Sequence, residues 1–424
     1  MNLSRAAYNL LVWLAQPLLR RKLARRARAE PGYAVAVPER FGHYGQPAEA
    51  ASELLWVHAV SLGEARAAAI LIPRLRQLLP GLRVLLTHGT ATGRAEGARL
   101  LQAGDVQVWQ PWDTPVAVQA FLTHFRPRLG LLLETEVWPN LVHGCRAAGV
   151  PLVLVNARMS EKSLRSALRW PSLMRPAYAA LNAAWAQTEA DAQRLRTLGA
   201  RVAAVTGNLK FDARPDAAQC DTAHAWRAAQ TRPVALLASS RDGEEAQWLQ
   251  ALQAQPGALA ALQWLIVPRH PQRVDEVERL LQGAGLTVSR RSQWGQDGPA
   301  PAQVWLGDSL GEMALYYSLA DVALLGGSFE PLGGQNLIEA AACACPVVMG
   351  PHTFNFLEAA EQAAAGGAAL RVAGMTEAVT QALALATDRA AQARMAQAAQ
   401  TFTQAHQGAA GRVVALLMPL LAQG

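Results

Sequence analysis

Residues 54–87 read LLWVHAVSLGEARAAAILIPRLRQLLPGLRVLLT. Two apolar runs, 54–59 (LLWVHA) and 82–87 (LRVLLT), flank an Ala- and Leu-rich stretch over 64–79. A strand that is apolar along its whole length is buried on both faces, and a helix between two such strands makes the pair parallel. The pattern continues outward. Further strands are expected near 129–133 (LGLLL), 152–155 (LVLV), 183–187 (AAWAQ) and 202–206 (VAAVT), with helical stretches such as 189–197 between them. A polar segment, 211–232 (FDARPDAAQCDTAHAWRAAQTR), interrupts the rhythm. It restarts near 234–238 (VALLA), 263–267 (QWLIV), 286–289 (LTVS), 303–306 (QVWL), 321–325 (DVALL) and 346–349 (PVVM). The fold class is therefore α/β, with two Rossmann-like, doubly wound domains over 30–212 and 233–424 and a linker at 213–232. A chain of 424 residues, 51% hydrophobic, is long enough for two such cores. In such folds ligands lie beyond the carboxyl ends of the strands, and a cleft between two domains is the default active site.

The net charge of +7 is carried entirely by residues 1–29, through Arg5, Arg20, Arg21, Lys22, Arg25, Arg26 and Arg28 with no acid. The remainder is neutral, which argues against a nucleic-acid binder. Ala6 to Leu19 is mostly apolar and runs directly into the basic cluster. It is shorter than the roughly 20 residues of a comfortable membrane span, and its charges follow the apolar stretch rather than precede it as in a signal peptide. Residues 1–29 read as a short membrane-anchoring helix with a basic follow-on suited to the anionic cytoplasmic leaflet. An ordinary amphipathic helix packed on the body is the alternative. Four cysteines (Cys145, Cys220, Cys343 and Cys345) make no disulfide framework, and no zinc set accompanies them.

The loops at the strand ends hold the candidate chemistry. Ser61-Leu62-Gly63-Glu64 has capping-box spacing, yet Glu64 also follows the first strand, where a general base would stand. Glu134-Thr135-Glu136 follows the strand at 129–133, and its carboxylates are solvated turn residues or cleft groups. If the strand continued, alternation would point both the same way. Lys210 closes the first half. Pro268-Arg269-His270-Pro271 ends a strand with an Arg suited to phosphate in a stiffened loop. Ser309-Leu310-Gly311-Glu312 repeats the capping-box pattern before a helix. Gly326-Gly327-Ser328 and Gly333-Gly334-Gln335-Asn336 supply glycines, the second pair leading into a helix over 336–344 whose amides could face a phosphate. Glu339 stands where it could accept from ribose hydroxyls. There is neither a Walker A nor a G-x-G-x-x-G pattern. These residues point to a nucleotide-sugar-like ligand in the second domain.

Taken in order, the segments resemble the 3-deoxy-D-manno-octulosonic acid (Kdo) transferases of lipopolysaccharide assembly. The resemblance rests on Glu39-Arg40-Phe41-Gly42, Ser61-Leu62-Gly63-Glu64, Glu134-Thr135-Glu136-Val137-Trp138-Pro139-Asn140, Asn156-Ala157-Arg158, Gly207-Asn208-Leu209-Lys210-Phe211-Asp212 and Val267-Pro268-Arg269-His270-Pro271. It continues through Gly307-Asp308-Ser309-Leu310-Gly311-Glu312, Gly326-Gly327-Ser328 and Gly350-Pro351-His352-Thr353-Phe354-Asn355-Phe356. The resemblance implies a GT-B glycosyltransferase moving Kdo from CMP-Kdo onto a lipid A precursor, lipid IV(A), at the cytoplasmic face of the inner membrane. It implies Glu64 as base, with Glu134 and Lys210 stabilising the transition state. CMP would lie against Pro268 and Arg269, against Leu310, Gly311 and Glu312, and against Asn336, Leu337, Ile338 and Glu339. Two positions depart from the family pattern: Gln335 replaces the His of Gly-Gly-His-Asn, and Arg241 stands where a His is expected before Gly243-Glu244. Neither a cofactor nor a metal is expected, since basic groups can serve the leaving phosphate. Two other readings stand beside this one: a GT-B transferase or epimerase using a UDP-sugar, and a non-catalytic nucleotide-binding scaffold at the membrane surface.

Overall fold

The computed structural model describes residues 3–49, 53–255 and 257–422. Residues 1–2 of the expected anchor and 423–424 of the expected second domain lie outside them. The chain forms two compact units, Met1–Asp212 with Gln407–Gly424, and Ala213–His406.

The first unit is built on seven parallel strands: β1 (Leu54–His58), β2 (Arg83–His88), β3 (Val106–Trp109), β4 (Leu129–Leu133), β5 (Leu152–Ala157), β6 (Ala183–Ala186) and β7 (Val202–Val205). Their order is β3-β2-β1-β4-β5-β6-β7. Leu55 pairs with Val84 on one side and Leu129 on the other, so the order reverses between β1 and β4. Side chains alternate across the sheet. Leu54 and Trp56 pack with Phe121, Phe125 and Leu132 on one face, and Leu55 and Val57 with Leu71, Leu75 and Leu131 on the other.

The second unit repeats the plan with β8 (Val234–Ser240), β9 (Gln263–Pro268), β10 (Val288–Arg290), β11 (Val304–Leu306), β12 (Val322–Leu325), β13 (Val347–Met349) and β14 (Ala369–Arg371), in the order β10-β11-β9-β8-β12-β13-β14. Its reversal lies between β8 and β12. Two strands escape the sequence reading, β3 and β14. Both are short and sit at sheet edges, where one side needs no partner and the apolar run is correspondingly brief.

The expected division of the chain needs two corrections. Residues 213–232 are no mere linker, because Ala217–Ala228 is a helix of the second unit, capped by Asp216, whose side chain accepts from Gln219 N. It buries Ala223 and Trp226, and the Trp226 ring meets Trp294 edge-on at 5.7 Å. Two apolar anchors in twelve residues are too few for the periodicity to stand out in sequence. The second correction is the C-terminus, which returns to the first unit. The helix Ala409–Ala422 inserts Val413, Leu417 and Leu421 into the core beside Leu71 and Leu75, and Asp212 holds its start by accepting from Gly408 N and Ala410 N at 2.5 Å each.

The N-terminal helix runs from Leu3 to Ala29, through the basic segment, with no residue buried. Polar side chains face the body. Tyr8 donates its hydroxyl hydrogen to Asp113 at 2.8 Å, and Asn140 donates to the Asn9 side-chain oxygen at 2.8 Å. Leu10, Leu11, Trp13, Leu14 and Leu18 are each more than half exposed. No helix among the described residues is long and apolar enough to cross a membrane.

Candidate active site

The reversal between β1 and β4 leaves a crevice at their carboxyl ends, and each strand delivers an acidic loop there. Ser61 caps the helix Leu62–Leu78, and the capping box is complete. The Glu64 carboxylate accepts from Ser61 N at 3.4 Å and Val60 N at 2.5 Å. Glu64 is only 7% exposed. β4 ends at Leu133, so strand alternation does not govern the next acids. Glu134 instead adopts a left-handed backbone, φ +59°, and takes a 2.8 Å ion pair from Lys210 Nζ. Glu136 accepts from Trp138 Nε1 at 2.8 Å.

Three carboxylates thus influence one another, and one of them, Glu134, is paired with Lys210. Burial first, then the negative charges of Glu136 and Glu134, push the Glu64 carboxyl up to about 8, against the pull of its two backbone donors. Glu136 is raised as well, chiefly by burial. A buried carboxyl that exchanges its proton near neutrality is equipped for general acid–base work. The capping role and the catalytic candidacy coexist: one oxygen of Glu64 holds the turn.

Lys210 stands on a short 3-10 turn, Leu209–Asp212, at the end of the first unit's main segment. The Asn156 side chain, at the end of β5 with φ +54°, accepts from Leu209 N at 3.0 Å and fixes that turn. In sequence Asn156 carries only family likeness; its bracing role needs the three-dimensional neighbourhood of residues 53 positions apart. Glu39 and Arg40 prove structural: Glu39 is paired with Arg94 at 2.8 Å, and the Arg40 guanidinium lies 3.9 Å above the Trp109 ring.

In the second unit the reversal between β8 and β12 is floored by a buried carboxylate. Glu244 accepts from Arg241 N (2.8 Å), Gly327 N (2.7 Å) and Phe329 N (3.1 Å), tying the end of β8 to the glycine loop after β12. Sequence reading saw Glu244 only as a neighbour of a family motif. A Cβ on Gly326 would strike the Ser239 carbonyl, so this approach requires glycine. Gly334 N donates to Gly327 O at 2.7 Å and Gln335 N to Gly326 O at 3.0 Å, bringing the two glycine pairs together. Pro268 ends β9, and Arg269 N donates to Ser240 O at 2.9 Å. Arg269 Nε donates to the Gln335 side-chain oxygen at 3.2 Å. A Cβ on Gly327 would meet both the Gln335 carboxamide nitrogen at 3.0 Å and the Arg241 Cγ at 3.5 Å, so the two side chains crowd this glycine. His270 is held below its ordinary range by burial and then by the charges of Arg241, Arg269 and Arg273. The Arg273 fork is spent on Glu245, at 2.9 and 3.0 Å. Arg241 beside Gly327, and Arg269 on the adjoining Gln335, form a setting for a phosphate.

The remaining predicted contacts differ in detail. Leu310, Gly311 and Glu312 lie on the loop after β11, the neighbour of β9, and Gly311 takes φ +84°. The second capping box does not form. Ser309 donates its hydroxyl to the Glu312 carboxylate, which also pairs with Arg291 at 2.8 Å, and the helix starts at Met313 with no side-chain cap. The left-handed Gly311 turns the chain away from the box geometry. The helix expected over 336–344 spans Leu337–Ala342. Asn336 caps it by accepting from Ile338 N at 3.2 Å while donating to Glu339 Oε1 at 3.1 Å. Leu337 and Ile338 are buried, so only their backbone can serve a ligand. Glu64, Glu134 and Lys210 are brought together in one unit. In the other, Arg269 meets Gln335, which leads directly into Asn336–Glu339.

The profile of the 3-deoxy-D-manno-octulosonic-acid transferase (kdotransferase) family matches residues 36–213. The chain is 48% identical over 423 residues to the 3-deoxy-D-manno-octulosonic acid transferase of Bordetella pertussis, covering 97% of this chain and 98% of the relative. It is 31% identical over 421 residues to the enzyme of the same name from Haemophilus influenzae, covering 98% of each. Among solved structures, a glycosyltransferase from Rickettsia africae aligns with TM-score 0.58 at 12% identity, over 88% of this chain and 99% of that one. A UDP-N-acetylglucosamine 2-epimerase aligns with TM-score 0.54 at 16% identity, over 81% and 90%. At those identities the two structures speak for the two-domain, Rossmann-like GT-B fold alone. Alignment over nearly its whole length with the Bordetella and Haemophilus enzymes shows that the chain belongs to the 3-deoxy-D-manno-octulosonic acid transferase family.

Proposed function

We propose that the chain transfers Kdo from CMP-Kdo onto a sugar hydroxyl of a lipid A precursor, lipid IV(A), with inversion at the anomeric carbon. The observation that carries this reading is the Glu64 carboxyl, buried beside Glu134 and Glu136 and raised to about 8. The ionised form takes the proton of the acceptor hydroxyl as its oxygen attacks the ketal carbon of Kdo. The bond from that carbon to the CMP phosphate breaks on the opposite face, and the phosphate leaves with the electron pair. Lys210, held by Glu134 at 2.8 Å, adds positive charge where the reacting sugar acid carries a carboxylate. In the second unit Arg269 and Arg241 offer guanidinium donors to the departing phosphate, electrostatic stabilisation aimed at developing charge. Pro268, the Leu310-Gly311-Glu312 turn and Asn336–Glu339 would frame the rest of CMP.

The same reading has the reaction proceed without a metal, the arginines doing a cation's work on phosphate. Undiminished turnover in EDTA is the expected result, and inhibition reversed by a divalent cation would refute this part. The helix Leu3–Ala29 is assigned to the cytoplasmic surface of the inner membrane. Leu10, Leu11, Trp13, Leu14 and Leu18 present an apolar edge, and the basic residues that follow suit anionic headgroups.

The test is transfer to a tetra-acylated lipid A precursor in detergent from freshly made CMP-Kdo, set against UDP-sugar donors. Turnover with CMP-Kdo alone is expected. Turnover with a UDP-sugar and none with CMP-Kdo would leave the fold intact and remove the donor assignment.

A further inference from the structure

An open cavity of about 420 Å³ lies in the first unit, where the helices Leu3–Ala29, Pro139–Ala147 and Pro171–Ala179 meet. Its polar wall is Arg5, His143 and Arg146, and its apolar floor includes Leu173, Pro176 and Ala177. No Asp or Glu among the described residues lines it. Among the described residues, neither Arg5 nor Arg146 has an ion-pair partner, and Arg5 Nε is buried without a hydrogen-bond partner. A buried guanidinium donor left unpaired is costly, and most such donors in folded proteins find an acceptor. His143 is held below its ordinary range by burial and then by the charges of Arg5 and Arg146, so both arginines act on the same spot.

Arg5 is not there by default. One turn along its helix, Tyr8 donates to Asp113, and Asp113 also accepts from Asn140 N (3.0 Å) and Leu141 N (2.7 Å) at the start of the helix Pro139–Ala147. Asn9 accepts from Asn140 as well. These bonds hold the helix of Arg5 beside the helix that carries His143 and Arg146. Two fixed cations, with an imidazole that can become a third, match a doubly charged anion better than a carboxylate.

We propose that this cavity is the subsite for a phosphate monoester carried on the sugar of the acceptor lipid, with Arg5 and Arg146 as its ligands and His143 closing the set. The inference rests on the lipid-acceptor reading above. The acceptor is favoured over a bulk phospholipid headgroup by continuity of the chain. The helix bearing His143 and Arg146 begins at Pro139, directly after Glu134-Thr135-Glu136-Val137-Trp138, so the cavity lies along the same helix that leaves the acidic loop, within reach of one extended acceptor. The apolar residues Leu10, Leu11, Leu14 and Leu18 stay exposed for acyl chains or bilayer.

The experiment measures binding of the acceptor lipid to the full-length protein in neutral detergent without donor. The probes are the phosphorylated lipid and the same lipid stripped by phosphatase. Losing a charge-assisted pair costs enough to expect wild type to hold the phosphorylated form roughly tenfold tighter or more. In the Arg5→Gln, Arg146→Gln double variant the two lipids should converge, while CMP binding and Tm are kept. Arg146→Lys should retain much of the preference. Equal affinity of wild type for both lipids, or a preference that survives in the double variant, would overturn the subsite. So would loss of the preference on adding phosphatidylglycerol to the micelles, because the cavity would then be reading headgroups. Because no donor is present, failure of Kdo transfer from CMP-Kdo strikes the functional reading and leaves this result to stand by itself.

Discussion

The two sheets share a topology and differ in what they place at their reversal points. Where β1 meets β4, Glu64, Glu134 and Glu136 act on one another and Glu134 pairs with Lys210. Where β8 meets β12, the charges of Arg241, Arg269 and Arg273 act on His270, and Arg269 bonds the Gln335 carboxamide. Both crevices come from the same parallel, doubly wound geometry, so the fold explains that a site exists and not what it does. The charge suits each crevice to the role proposed for it. Like charges around a buried carboxyl raise its affinity for a proton and make a base, whereas clustered guanidiniums lower the affinity for a proton and attract phosphate. In each unit a single internal carboxylate or amide braces the loops: Asn156 for Lys210, and Glu244 for Gly327.

Breaking the acidic side should have the largest effect. Glu64→Gln keeps an oxygen for the Val60 and Ser61 amides and loses the base, so kcat should fall about 10³-fold with little change in Tm at pH 6. Steady-state transfer and calorimetry on the same preparation check this. A variant that melts much earlier but turns over normally would reduce Glu64 to its capping role. On the basic side, Arg269→Ala should cost on the order of 10²-fold in kcat/KM for the donor, with the acceptor KM little altered. Gln335→Ala, which only releases Arg269, should cost no more than roughly tenfold, measured in the same donor titration.

Two smaller effects sharpen the contrast through pH. Lys210→Met unmasks the charge of Glu134, which pushes the Glu64 carboxyl further up, so the acid limb of the rate profile should move to higher pH. Glu134→Gln should move it down. The smallest effect is on stability. A carboxyl raised from 4.5 to about 8 contributes stability that is fully present below 4.5 and is lost as pH rises through 8. The Tm of Glu64→Gln relative to wild type should therefore climb across that window, by roughly a few degrees. A constant difference would mean that Glu64 titrates normally.

Most of the architecture was legible because continuous apolar runs mark strands of a parallel sheet, as LLWVHA and LGLLL do. The boundaries failed where tertiary contacts decide. Nothing local in Ala409–Ala422 says that it covers the first sheet, and Ala217–Ala228 shows only two apolar anchors. Of the site, Glu64, Glu134 and Arg269 could be picked from their places after strands, since loops at carboxyl ends carry ligands. Their mutual arrangement could not. Left-handed Glu134 replaces the expected alternation, and left-handed Gly311 undoes the second capping box; neither φ is written in the residue pattern alone. Arg5 is the sharpest case: in sequence it is one more charge in a basic terminus, and only the folded helix gives it a cavity to line.

If a carboxyl with a strongly raised proton affinity removes the acceptor proton, as proposed, the wild-type pH–rate profile will show it. With CMP-Kdo saturating, kcat/KM for the acceptor lipid should rise about tenfold per pH unit and level off near pH 8. A profile already flat from pH 6 upward would contradict the account, because Glu64 would then ionise in the ordinary carboxylate range and the acidic crevice would not be tuning a base.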